Sequence, residues 1–194
     1  KIFPVAQAID LKLVSPNTLI NAKAPMKIGK YLINEFRNHN YGTLTVTDVI
    51  VKSSNVGTVR VAQLLGPERQ RDFLEKLGFF EPTLIEMSEA PTGKPLVPKR
   101  WPAVTSATVA FGHGLAASPL HLAAAYATVA NGGKRVEAWG ISRIRTPSGR
   151  VIYSHGAGEN GQTINNPPLY YMNQMLRGVV SGGTARSAAV SGYD

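Results

Sequence analysis

Between Ser118 and Gly133 the sequence holds a stretch that is apolar on nearly every side. Leu120, Leu122, Tyr126 and Val129 are spaced by alanines, with hardly a polar position among them. Ser118 is a favoured helix cap, Pro119 suits the first turn, and Asn131-Gly132-Gly133 supplies a stop. The pattern predicts a helix from Ser118 to about Ala130. A helix with no polar face has to be surrounded by other elements. The chain must therefore fold into several elements packed around a buried helix.

The remaining punctuation supplies those elements. Val5, Ile9 and Leu13 recur every four residues and predict a helix from about Phe3 to Leu13, ended by Ser15-Pro16-Asn17. Residues 18–40 are mixed and polar and read as a loop with short elements. Thr45 followed by Asp48 resembles a capping pair and opens a helical region over Thr43 to Lys52. Ser53-Ser54-Asn55 interrupts it, and a second helix runs from about Val56 to Leu65. Pro67 opens another helix that Gly78 closes. Five prolines between residues 79 and 106 predict a long irregular loop. Ile141 to Arg145 and Arg150 to Tyr153 flank Thr146-Pro147-Ser148-Gly149 and predict a hairpin. A last helix begins at Pro168 and passes through Tyr171, Met175 and Val179; Tyr126 and Met175 read as core. The fold class expected is α+β, mainly helical, with a small β-hairpin.

Composition narrows the function classes. A chain of 194 residues with 43% hydrophobic and 17% charged residues suits one folded domain and argues against disorder. There is no cysteine, so disulfides, thiolate metal sites and a cysteine nucleophile are excluded. His39, His113, His121 and His155 show no metal-ligand spacing, so neither a metal nor a cofactor is expected. The net charge of +9 is spread thinly and accompanies no recognition helix or finger motif, which argues against nucleic acid. No apolar run is long enough to cross a bilayer. The chain starts at Lys1 rather than Met, so it reads as an excerpt or a processed product, with any membrane anchor outside it.

Four segments in order resemble the transpeptidase domain of class B, division-type penicillin-binding proteins. The first is Gly42-Thr-Leu-Thr-Val-Thr-Asp with Lys52-Ser-Ser-Asn-Val-Gly57. The second is Phe111-Gly-His-Gly-Leu with Ser118-Pro-Leu-His-Leu-Ala and Ala130-Asn-Gly-Gly133. The hairpin is the third. Met175-Leu-Arg-Gly-Val-Val with Gly182-Gly-Thr-Ala185 is the fourth. That family carries Ser-x-x-Lys, Ser-x-Asn and Lys-Thr-Gly motifs. Only the second is complete here, as Ser53-Ser54-Asn55. Lys1 falls where the lysine of the first motif belongs, although many relatives have a proline directly after it and here Pro4 comes three residues on. Thr92-Gly93-Lys94 has the order reversed and lies in the proline-rich loop.

The resemblance implies the helix-and-sheet architecture shared with serine β-lactamases. It makes residues 1–194 a partial transpeptidase domain that starts after the nucleophilic serine and stops before the Lys-Thr-Gly strand, inactive by itself. It implies serine acyl transfer on D-Ala-D-Ala stem peptides, with β-lactams as inhibitors and other division and wall-synthesis proteins as partners. The place implied is the periplasmic side of the bacterial inner membrane. Lys1 would be the base, since a serine hydroxyl needs one to take its proton. Ser53 would relay that proton to the leaving amine. Asn55 would bond both the lysine and a substrate amide. Ser54, His113 and Gly114 would help bind substrate. Taken without the resemblance, Ser54 or Asn55 could simply cap the helix at Val56, and His113 could be a loop residue held between Gly112 and Gly114. A D,D-carboxypeptidase, a β-lactamase or a silent scaffold domain remain the alternative functions.

Overall fold

The computed structural model describes residues 1–83, 85–88, 93–156 and 161–192. Helix α1 (Ile2–Asp10) is at the centre, buried from Ile2 to Ile9 against later helices. It stops three residues before the periodicity suggested. Lys12 turns left-handed (φ 56°), and the amides of Leu11 and Leu13 fold back onto the carbonyls of Gln7 and Ala8.

The next segment is a small lobe of short strands. β1 (Leu19–Asn21) pairs antiparallel with β4 (Thr43–Thr45), Leu19 opposite Thr45. Between them β2 (Met26–Ile28) and β3 (Tyr31–Ile33) form a hairpin with Lys27 opposite Leu32. Because strand side chains alternate, Met26 and Ile33 share the inner face, where they cluster with Val56, Val59 and Ala107.

β4 leads directly into α2 (Val46–Val51), whose start is capped as expected: the Asp48 amide donates to Thr45 Oγ1 at 3.0 Å. α3 (Asn55–Leu65) and α4 (Pro67–Lys76) follow. α2 and α3 cross at Gly57, where a Cβ would come within 2.6 Å of Val49 Cγ2 and 2.9 Å of Ser54 Oγ. Only a residue without a side chain allows that approach.

Two expectations are corrected. The proline-rich irregular stretch ends at Pro102 rather than residue 106, because Ala103–Ala110 forms a helix, α5. Its β-branched Val104, Thr105, Thr108 and Val109, with Ser106, offset the helical propensity of its three alanines. Tertiary bonds hold it instead: Gln70, itself buried, donates to Ser106 O at 3.1 Å and accepts from Ser106 Oγ at 2.6 Å. Pro91 and Thr92 of that stretch lie outside the described residues.

The second correction concerns α6 (Pro119–Ala130). The helix forms where expected, but it is not buried all round. His121, Ala125, Thr128 and Val129 face inward, while Leu122 is 49% and Tyr126 44% exposed. Ala125 and Val129 join the core cluster of α1 and α7, and among the described residues nothing covers the opposite face. Tyr126, read as core, is half-exposed and touches Phe3 edge-on at 5.7 Å.

The hairpin forms from β5 (Arg143–Arg145) and β6 (Val151–Ser154), with an irregularity at Ile144/Arg145. Glu86 ties it to the proline-rich stretch, accepting from Gly140 N–H and Tyr153 O–H at 2.8 Å each. Those bonds draw the Glu86 pKa down to about 2 and raise that of Tyr153. α7 (Asn166–Ser181) starts two residues ahead of Pro168 and packs on α1 and α2, with Met175 buried as expected. Just past its end, Gly183 lies too close to the Val51 carbonyl to carry a Cβ.

Candidate active site

The Ser53-Ser54-Asn55 run is the junction of two helices, and each residue has a separate backbone task. Ser53 follows the last turn of α2. Its amide donates to Ile50 O at 3.0 Å, and the Ser54 amide donates to Val49 O at 2.9 Å. That pair of bonds is a Schellman closure, which places the residue after the cap in the left-handed region. Glycine is the residue that suits this position, yet Ser53 occupies it with φ 56°. A side chain here costs roughly 1–2 kcal/mol against glycine. A serine in a position that the backbone alone suits to glycine makes its hydroxyl a candidate functional group.

The hydroxyl meets Lys1. The first residue of the chain caps α1 and extends its side chain to this junction. Lys1 Nζ lies 2.8 Å from Ser53 Oγ and 2.5 Å from Ser53 O. The left-handed turn thus aims both oxygens of Ser53 at one amine. Burial holds the Lys1 pKa below its usual value, with the field of Glu35 acting in the opposite direction. A neutral amine has two N–H donors and one lone pair. Once deprotonated, Lys1 can keep both donors on Ser53 and offer its lone pair to a third group.

Ser54 is fully buried, which corrects its expected role against substrate. It is the cap of α3: its Oγ accepts from Gly57 N–H at 2.9 Å and donates to Glu35 Oε1 at 2.5 Å. A side chain sealed on every side positions the turn but cannot meet a ligand. The capping role that Ser54 would have without any resemblance is the one it plays here.

Asn55 is the first residue of α3. Its Nδ2 donates to Asn34 O at 2.9 Å, and among the described residues no hydrogen bond joins it to Lys1. The expected lysine contact is therefore not formed. Its Oδ1 has no partner among the described residues and can accept an N–H from outside.

Glu35 is the residue that local sequence reading missed. Only 4% exposed, it accepts from Ser54 Oγ, from Asn55 N–H at 2.7 Å and from Val56 N–H at 3.1 Å. A carboxylate at a helix N-terminus satisfies orphan amides and meets the positive end of the helix dipole. It sits 20 positions before Asn55, so no local pattern links them. The one available signal was that Glu35 is the only acid between residues 11 and 47.

Lys1 also borders a cavity of about 420 Å³ walled by Phe3, Phe73, Phe79, Leu115 and Tyr126. The glycine-containing loop after α5 contributes to that wall through Gly112 and Leu115, not through His113 or Gly114. His113 is exposed and held by its backbone, its amide donating to Thr108 O at 2.9 Å. Gly114 stands over Thr108. The structure thus brings Lys1 and Ser53 into contact, sets Asn55 beside them, seals Ser54 away, and keeps His113 and Gly114 outside the cluster.

Comparison with known proteins gives a consistent picture. Residues 1–194 match the model of the penicillin binding protein transpeptidase domain. Penicillin-binding protein PbpB of Mycolicibacterium smegmatis is 32% identical over 202 residues, covering all of this chain and 31% of that protein. The probable peptidoglycan D,D-transpeptidase FtsI of Caulobacter vibrioides is 33% identical over 134 residues, covering 69% of this chain and 22% of the relative. The chain thus spans less than a third of these two relatives. Among solved structures, penicillin binding protein 3 of Mycobacterium tuberculosis, complexed with aztreonam, superposes with a TM-score of 0.90 at 29% identity, over 100% of this chain and 44% of the other. The transpeptidase domain of Burkholderia pseudomallei penicillin-binding protein 3 gives 0.84 at 30% identity, over 100% and 56%.

Proposed function

The chain belongs to the penicillin-binding protein transpeptidase domain family, and on that footing we propose that the protein carrying it is a septal-type peptidoglycan D,D-transpeptidase. The observation that carries this reading is the contact of Lys1 Nζ with both oxygens of Ser53. The nucleophilic serine and the Lys-Thr-Gly strand come from parts of the protein outside these 194 residues, which contain no Ser-x-x-Lys and no Lys-Thr-Gly. Residues 1–194 are accordingly a part of the catalytic domain.

In this mechanism the serine oxygen attacks the carbonyl carbon between the two terminal D-alanines of a stem peptide. Its proton passes to the Lys1 lone pair. As the C–N bond breaks, Ser53 hands its hydroxyl proton to the departing D-alanine amine and takes in exchange the proton held on Lys1, and the acyl group remains on the serine as an ester. An amine of a neighbouring stem then attacks the ester, losing a proton to Lys1, and that proton returns to the serine oxygen as the C–O bond breaks, forming the crosslink and freeing the serine. Asn55 Oδ1 accepts an N–H of the substrate. β-Lactams acylate the same serine. The catalytic part works on the periplasmic side of the inner membrane beside other wall-synthesis and division proteins. No described helix is long and apolar enough to cross a membrane, and the anchor is assigned to other parts of the protein.

Fluorescent penicillin and intact-mass measurement test this. The expected result is one adduct on the full-length protein, mapped to a serine other than Ser53 and Ser54, and none on residues 1–194 alone. An unlabelled full-length protein would favour a silent scaffold. A donor peptide that releases D-alanine to water, and never transfers to an added amine, would make it a carboxypeptidase instead.

A further inference from the structure

An exposed turn lies directly after the residues that hold Asn55, and it contains a left-handed arginine. It follows β3, whose Ile33 is anchored on α3. Asn34 O holds the Asn55 side-chain amide, and Glu35 holds the Ser54–Val56 backbone. The chain then exposes Phe36, 71% accessible to solvent. Arg37 and Asn38 both take left-handed conformations, φ 54° and 56°, although neither is glycine. Asparagine tolerates that region, whereas arginine is strained in it, and such strained residues gather at ligand sites. Asn34 and Glu35, directly before the turn in the chain, are the residues that also hold the Ser-Ser-Asn junction.

The turn presents a defined chemistry. The Arg37 guanidinium lies over the Phe36 ring, 5.2 Å from its centroid. Lys30 over Tyr31 and Lys52 over Tyr41 repeat the arrangement at 5.5 and 5.9 Å. Among the described residues none of these three cations has an acidic partner. Glu35, the only acid between residues 11 and 47, is buried and occupied by α3. The surface beside Asn55 is thus basic and aromatic, with no exposed carboxylate in that part of the chain to neutralise it. A planar guanidinium held over a ring suits bidentate capture of a carboxylate.

We propose that Phe36 and Arg37 form a specificity element of the acyl-transfer site: Arg37 binds a side-chain carboxylate of the peptide stem while Phe36 packs against its apolar part. This rests on the reading of Lys1, Ser53 and Asn55 as the reacting site. Because Asn34 and Glu35 couple the turn to Asn55, a stem held at Arg37 is also registered against the Asn55 amide.

The test uses the full-length protein and two synthetic peptides ending in D-Ala-D-Ala. They are identical except that side-chain carboxylates in one are carboxamides in the other. Each competes with fluorescent penicillin, and the slowing of acylation reports its affinity. Wild-type protein should favour the carboxylate peptide by about tenfold, the scale of a charge-assisted hydrogen bond. Arg37→Gln should abolish that preference, and Phe36→Ala should weaken both peptides together. The ratio of two peptides on one variant cancels any loss of folded protein. No preference in the wild type, or a preference that survives Arg37→Gln, would overturn the proposal. If penicillin fails to acylate the wild type, the acyl-transfer reading falls instead. Calorimetric titration of the same two peptides then still decides the role of Arg37 by the same ratio.

Discussion

The Lys1 amine lies 2.8 Å from the Ser53 hydroxyl and 2.5 Å from the Ser53 carbonyl oxygen, across 52 residues of sequence. One side chain at the head of the central helix thereby reads the conformation of a turn between two other helices. That turn is left-handed at a serine, and the contact exists only while it stays so.

The first prediction sets stability against activity. Ser53→Gly removes the strain of a side chain at φ 56° and should leave the fold unchanged or more stable by up to about 1 kcal/mol. The same substitution removes the proton relay and should abolish acylation. Ser53→Ala keeps the strain and loses the hydroxyl, so it should be both less stable than the glycine variant and inactive. Thermal unfolding alongside penicillin labelling reads both effects. A glycine variant destabilised by several kcal/mol would show that the turn has another origin.

The second concerns pH. Burial keeps the Lys1 pKa below 10.5, and the base must be neutral to act. The acylation rate should therefore rise with pH through a pKa below that value. Glu35 opposes the shift, so Glu35→Gln should lower the Lys1 pKa further and move the acid limb to lower pH. The variant should also cost about 1–3 kcal/mol through weaker capping of α3. A limb that does not move would confine Glu35 to the capping role.

The third concerns packing. Gly57→Ala puts a methyl 2.6 Å from Val49 Cγ2 and 2.9 Å from Ser54 Oγ, which forces α2 and α3 apart. Overpacking of this kind costs about 1–3 kcal/mol. Because the displaced atoms flank Ser53, acylation should fall by more than the loss of folded protein explains. Val49→Ala in the same chain should restore part of both.

Much of this was legible beforehand. The caps at Thr45 and Ser118, the Pro67 start and the hairpin over 141–153 follow from short-range rules, and they formed where those rules put them. α5 was illegible because it owes its helix to Gln70 and buried contacts rather than to its own residues. The exposed face of α6 was misread because apolarity predicts what a helix can bury, not what else is present to cover it. At the candidate site, motif order singled out Ser53 and Lys1, and the two lie in contact. Glu35 was not, because an acid 20 positions before the turn it braces leaves no periodic trace. Ser54 was assigned to substrate because sequence shows that a hydroxyl is present and not which way it faces.

We assign Lys1 the role of base for the serine attack, with Ser53 as relay. The most direct test is the second-order rate constant for penicillin acylation of the full-length protein, compared with Lys1→Met, and mapping of the acylated residue. The account predicts an adduct on a serine outside residues 1–194 and a fall of at least about 10²-fold for Lys1→Met, the scale of general base catalysis. A Lys1→Met protein acylated at the wild-type rate, or an adduct mapped to Ser53, would contradict it.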